Sequence, residues 1–194
     1  MVCPHIDDLN ARLKDIKRKF LAHQLREEKK GLGTFTADPR RIAAFRLLVH
    51  AELEEYLETK GRDGLRKIKD NFAAGKKTVR ENVQLFVIAR AIDHDLNFKA
   101  DTWEKDVAEV CRLAEDWISK NNGIKYRSFV NLAIFSGKMP DEIDYTLAAD
   151  LNSFGSARGD VAHKSSLRVR NLHAPSDELK RATDIVKGLA GFFT

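Results

Sequence analysis

Apolar positions recur at helical spacing along almost the whole chain. From Asp7 to about Lys30, the residues Leu9, Leu13, Ile16, Phe20 and Leu21 fall on one side of a predicted helix. Gly31-Leu32-Gly33-Thr34 breaks it. Asp38-Pro39 then reads as an N-cap followed by proline at the first helical position. The helix behind it carries Ile42, Phe45, Leu48, Val49, Leu53, Tyr56 and Leu57, and Gly61 and Gly64 are expected to end it. A short basic segment follows from Leu65 to Phe72. The next helix is predicted from Thr78 to about His94, with Val79, Val83, Phe86, Val87 and Ala91.

Asp101 or Thr102 is placed to cap a fifth segment, in which Trp103, Val107, Val110, Ala114 and Trp117 recur at helical spacing. Asn121-Asn122-Gly123 closes it. Ile124 to Phe135 reads as a helix or a buried segment, and Gly137 and Pro140 mark a turn. A helix is then expected from about Asp141 through His163, kinked near Gly155. A last one follows Pro175-Ser176 and reaches Leu189 and Phe192. Strand signals are weak, and short β-rich runs such as Phe86-Val87-Ile88 sit inside helical patterns. No repeat, low-complexity stretch or linker stands out. The pattern predicts an all-α fold, a single-domain helical bundle over residues 1–194.

Composition agrees with that. The chain has 194 residues, 43% of them hydrophobic, with only 4 prolines and 11 glycines. That suffices for a globular core. No apolar run approaches the roughly 20 residues that span a bilayer, so no membrane partner is expected. Cys3 and Cys111 are too few for a disulfide framework and lack metal-ligand spacing. Met1-Val2-Cys3-Pro4-His5 does not have a signal-peptide layout, so a cytoplasmic location is the expectation. The 34 Lys and Arg against 29 Asp and Glu leave a net charge of +5. This permits a nucleic-acid partner without demanding one.

Candidate chemistry rests on arginine–histidine pairs. Arginine stays charged and suits a phosphate, while histidine titrates near neutral pH and moves protons. The spacing occurs three times: Arg18 and His23, Arg158 and His163, Arg168 and His173. The first lies in the basic run Lys17-Arg18-Lys19, read as a solvated helix face. The third lies in a connector before Pro175. Only Arg158 and His163 are approached by a patterned apolar segment, Leu147, Leu151, Phe154 and Ala157. Five residues on a straight helix turn about 140° past a full turn and advance ~7.5 Å. One copy therefore does not easily aim both groups at one phosphate. Gly155 and Gly159, small and four apart, would admit a second helix. A homodimer with a shared site is one solution, and a plain kink is the other reading of the glycines.

The segment Arg158-Gly159-Asp160-Val161-Ala162-His163, preceded by Leu151-Asn152-Ser153-Phe154-Gly155, resembles the C-terminal motif of the HEPN superfamily, most closely its RiboL-PSP-type group. A second likeness is the early run Leu48-Val49-His50-Ala51-Glu52-Leu53-Glu54-Glu55-Tyr56-Leu57. The resemblance covers roughly residues 40–193. One departure is Gly159 directly after the arginine, where many members carry a polar residue.

The resemblance implies an all-α dimer and a metal-independent endoribonuclease, a toxin or defence effector against phage, with an antitoxin or defence-system partner. No cofactor and no metal site are expected. RNA would be cut by its own 2′-hydroxyl, with His163 as general base or acid, Arg158 on the phosphate and Asp160 either as an orienting group or, equally, as a surface acid. Lys164, Arg168 and Arg170 form a plausible track for the RNA backbone, with a solvated loop as the plain alternative. Glu52, Glu55 and Tyr56 are brought near the site only by the resemblance, and helix surface and core explain them adequately; His50 could face the same region, but a satisfied packing histidine is the preferred reading. The Trp103–Trp117 stripe reads as core. The competing function is a non-catalytic module that binds RNA, a nucleotide or a protein partner.

Overall fold

A computed structural model describes residues 4–31, 35–76, 78–96, 102–163 and 173–194, with the backbone alone given for 159–163. The described chain is helical and contains no strand. Its helices are α1 (Pro4–Phe20), α2 (Ala22–Lys29), α3 (Pro39–Ala73), α4 (Val79–Ala91), α5 (Trp103–Lys120), α6 (Tyr126–Phe135), α7 (Tyr145–His163) and α8 (Pro175–Phe192), with a 3-10 turn at Pro140–Glu142. None is both long and apolar enough to cross a membrane.

Several boundaries differ from the sequence pattern. The first predicted helix is two, divided at Leu21. The division is slight, because Leu21 N–H still bonds Lys17 O and Leu25 N–H bonds Leu21 O, each at 2.9 Å. Gly61 and Gly64 do not end α3, which runs on to Ala73. α7 starts later than Asp141. The Asp144 carboxylate accepts the N–H groups of Thr146 and Leu147, both at 2.9 Å, and fixes the start there. Thr78 does cap α4: its hydroxyl accepts Glu81 N–H at 3.3 Å while the Glu81 carboxylate accepts Thr78 N–H at 2.9 Å. Thr102 holds the N-cap position of α5 without a capping side-chain bond, and Asp101 lies outside the described residues.

The residues gather into two compact units. The first comprises Met1–Tyr56, Gly123–Lys125 and Asp144–Thr194, and the second Leu57–Asn122 and Tyr126–Ile143. In the first unit α8 packs against α1, α2 and α7. Its buried residues include Leu9 and Leu13 of α1, Phe45, Val49 and Leu53 of α3, Leu151 and Phe154 of α7, and Ile185 and Leu189 of α8. In the second, α4 packs against α5 and α6. Leu65, Leu85, Ile88, Val110, Ala114, Phe129 and Phe135 are fully buried there. Each Leu or Phe so buried contributes about 1.5–3 kcal/mol relative to exposure. The apolar stripes expected for α1 and α3 thus pack in the main, whereas in α4 the expected Val79, Val83 and Phe86 are exposed and the buried face is Gln84, Leu85, Ile88 and Ala89.

Candidate functional site

The first unit places a polar line within its apolar core. Arg46, His50 and Glu54 follow one another at four-residue steps, which puts them on one face of α3. Arg46 is fully buried and His50 is 2% exposed. A buried guanidinium is tolerable only when paired and hydrogen-bonded. Here the partner is Glu178 of α8, also fully buried. Arg46 Nε donates to Glu178 Oε2 at 3.1 Å, and Arg46 Nη2 donates to Glu178 Oε1. The fork-to-fork arrangement fixes both side chains in one plane. Arg46 Nη1 reaches the carbonyl of Ala157 on α7 at 3.5 Å. Glu178 Oε1 also accepts the backbone N–H of His173 at 3.3 Å.

His50 lies in the field of two cations. Its Nδ1 is 3.8 Å from Glu54 Oε2, beyond hydrogen-bond reach. Burial, then the charges of Arg158 and Lys125, pull its pKa from 6.5 down to about 4. Desolvation and the two cations therefore outweigh the carboxylate, and the imidazole is neutral at physiological pH. Arg158, half-buried on α7, and Lys125, exposed, both act on this one side chain.

Lys125 owes its place to Gly155. That glycine is buried in α7, and a Cβ there would stand 3.2 Å from Lys125 Cγ and 3.3 Å from Ile124 Cγ1. The space is taken by the chain's own 123–125 segment. The expectation that Gly155 admits a partner's helix is corrected accordingly. α7 runs as one helix from Tyr145 to His163.

The expected site residues fall unevenly. Arg158 is placed in the cluster just described. Asp160 and His163 stand on the α7 backbone, and their side chains lie outside the described structure. Lys164, Arg168 and Arg170 lie outside the described residues. Of the early helix, Glu52 pairs with Arg12 of α1 at 3.0 Å, and Glu55 is exposed. Tyr56 is buried with its ring edge-on to Phe193. Within that run, the charge of Arg158 acts on His50.

Arg46, Lys125 and Glu178 were not among the expected residues. Arg46 had a signal: it shares the apolar face of Ile42, Phe45, Val49 and Leu53, where a lone charge implies a buried partner. The tryptophans are not full core residues either. Both are half-buried. Trp117 stands edge-on to Phe135 and lines a cavity of about 610 Å3 with His94, Lys120 and Arg127.

The Arg18–His23 spacing gathers nothing comparable. Arg18 is on α1, bonded to Asp15, while His23 is exposed on α2. Among the described residues, no group of three His, Cys, Asp or Glu is arranged to hold a metal ion. Compared with protein-family models, curated proteins and solved structures, the chain matches none.

Proposed function

We propose that this protein is an endoribonuclease that cuts RNA without a metal, using Arg158 and His163 of α7. The observation that carries the reading is the seating of α7, which is anchored by buried Leu151 and Phe154, packs at Gly155 against the Lys125 segment, and carries Arg158 and, five positions further along, His163. An arginine on a fixed helix suits a phosphate with growing negative charge. A helix rigidly seated by Leu151 and Phe154 gives the groups a fixed base.

In the reaction, the RNA 2′-hydroxyl attacks the adjacent phosphorus. A base takes its proton, the bond to the 5′-oxygen breaks, and an acid protonates that oxygen. The products are a 2′,3′-cyclic phosphate and a 5′-hydroxyl. His163 serves as base or acid, Arg158 holds the phosphate, and Asp160 orients. The turn of about 140° between positions 158 and 163 favours a site completed by a second copy. A role as toxin or defence effector, and an antitoxin or defence-system partner, rest on the resemblance to HEPN proteins.

The test is cleavage of RNA by purified protein in excess EDTA, with end-group analysis. The expected result is cyclic phosphate ends from the wild type, a loss of about 100- to 10,000-fold in Arg158→Ala and His163→Ala, and no cutting of an all-deoxy substrate. Undiminished cleavage by both variants would overturn the proposal. RNA binding without cleavage by the wild type would favour a non-catalytic module.

A further inference from the structure

The buried ion pair touches the chain on both sides of the motif. Arg46 donates to the carbonyl of Ala157, the residue before Arg158. Glu178, which holds that guanidinium, also accepts the N–H of His173. Ala157 directly precedes Arg158 on α7, and His173 lies just before the N-terminus of α8. From this geometry we infer that Arg46 and Glu178 are a positioning clamp, whose function is to fasten both ends of the motif-bearing stretch to the core of the first unit. The catalytic consequence rests on the ribonuclease reading, while the mechanical one does not.

Three features support a clamp rather than plain packing. An apolar pair of the same volume fills the space but holds neither a carbonyl nor an N–H. The bidentate pairing fixes the rotation of the Glu178 carboxylate, so one oxygen is committed to the His173 side. The start of α8 also relies on imported acceptors. Its N-cap is Ala174, without a capping side chain. Ser176 N–H and its hydroxyl both bond to Glu28 of α2, at 3.1 and 2.8 Å. Glu178 serves the neighbouring His173 N–H from the inner side. Both residues are fully buried, so they act on the reaction through Arg158 and its neighbours and not on RNA.

The test replaces the pair by apolar residues, Arg46→Met with Glu178→Leu, which removes both charges together. Hydrogen exchange is followed by mass spectrometry beside RNA cleavage. The expected result is exchange at least tenfold faster at 155–163 and at 173–176, with exchange at Val186 and Leu189 unchanged. A tenfold or larger fall in kcat with KM preserved should accompany it. Arg46→Lys, which keeps a charge on Glu178, is expected to fall between wild type and the double variant, and serves alone if the double variant does not fold. Unchanged exchange at 155–163 and 173–176, or equal acceleration throughout the first unit, would overturn the clamp. So would wild-type kcat in a folded double variant. If the wild type cuts no RNA, the ribonuclease reading fails, and the exchange pattern still decides the clamp.

Discussion

Gly64 of α3 lies directly against the backbone carbonyl of Phe135 at the end of α6, so that a Cβ at position 64 would overlap that oxygen and the Cα of Ser136. Backbone cannot yield as a side chain does. Gly64→Ala should therefore destabilise the second unit by about 3 kcal/mol or more. Gly61 is the control. Its added Cβ would meet the mobile tip of Ile118, Cδ1 at 3.2 Å, and the helix gains about 1 kcal/mol from alanine. Gly61→Ala should thus change stability by less than about 1 kcal/mol. Urea midpoints of the two variants check the difference. Equal effects would mean that the α3–α6 approach is looser than described.

His50 should make stability fall with acid. Its folded pKa of about 4 lies below the ordinary 6.5. The unfolded chain therefore takes the proton first, and stability declines as pH drops from about 6.5 to about 4. Below that the contribution is fully lost. The whole effect is on the order of 3 kcal/mol. Glu54, Arg158 and Lys125 are the charged groups around it. His50→Gln should flatten this part of the profile. Chemical denaturation at pH 7 and pH 4.5 measures it, and the same slope in wild type and variant would refute the assignment.

Breaking the buried pair on one side should cost more than removing it. Arg46→Met alone leaves the Glu178 carboxylate buried opposite an apolar group, for a loss of about 3–5 kcal/mol. Adding Glu178→Leu should recover most of that loss. A double-mutant cycle by thermal or urea unfolding gives the coupling. Additive losses in the two single variants would contradict the pairing.

RNA should be drawn to the first two helices as well as to α7. Residues 11–30 hold eight Lys and Arg against three Asp and Glu, a net of five positive charges that equals the net charge of the entire chain. Lys14, Lys17 and Arg18 help line a groove of about 540 Å3 on α1. Lys14→Glu with Lys17→Glu should weaken RNA binding. The logarithmic salt slope should fall by roughly 1.4 if each lysine releases one counterion from a single strand. Binding measured across a salt series decides this. A slope equal to wild type would place the RNA elsewhere.

α3 was legible in the sequence because much of its apolar stripe packs, as Phe45, Val49 and Leu53 illustrate, whereas in α4 the expected face of Val79, Val83 and Phe86 is exposed and Leu85 and Ile88 pack instead. The start of α4 at Thr78 was legible, and the Thr78–Glu81 capping box that fixes it is a local hydrogen-bond pattern that needs no tertiary context. Gly61 and Gly64 misled, because a glycine that ends a helix and one that admits a neighbour look alike in a string of residues. Only the nearness of Phe135 separates the two cases. The break at Leu21 was hidden because that residue is buried and keeps the helical hydrogen bonds on both sides. At the site, Arg158 was legible from its carrier segment. Its link to Lys125 and the service of Glu178 to Arg46 were not, since those contacts depend on distant stretches meeting in the fold.

The pairing of Arg46 with Glu178 joins positions 132 residues apart, and this constrains how the protein can change by descent. A lone substitution at either position strands a charge in the core and passes through a poorly folded ancestor. A change at both at once is far more easily tolerated by stability. Lineages that keep one of these residues are thus expected to keep the other, and lineages that lose them to lose them together. In a set of diverged sequences the two columns should covary even where the surrounding helices have drifted.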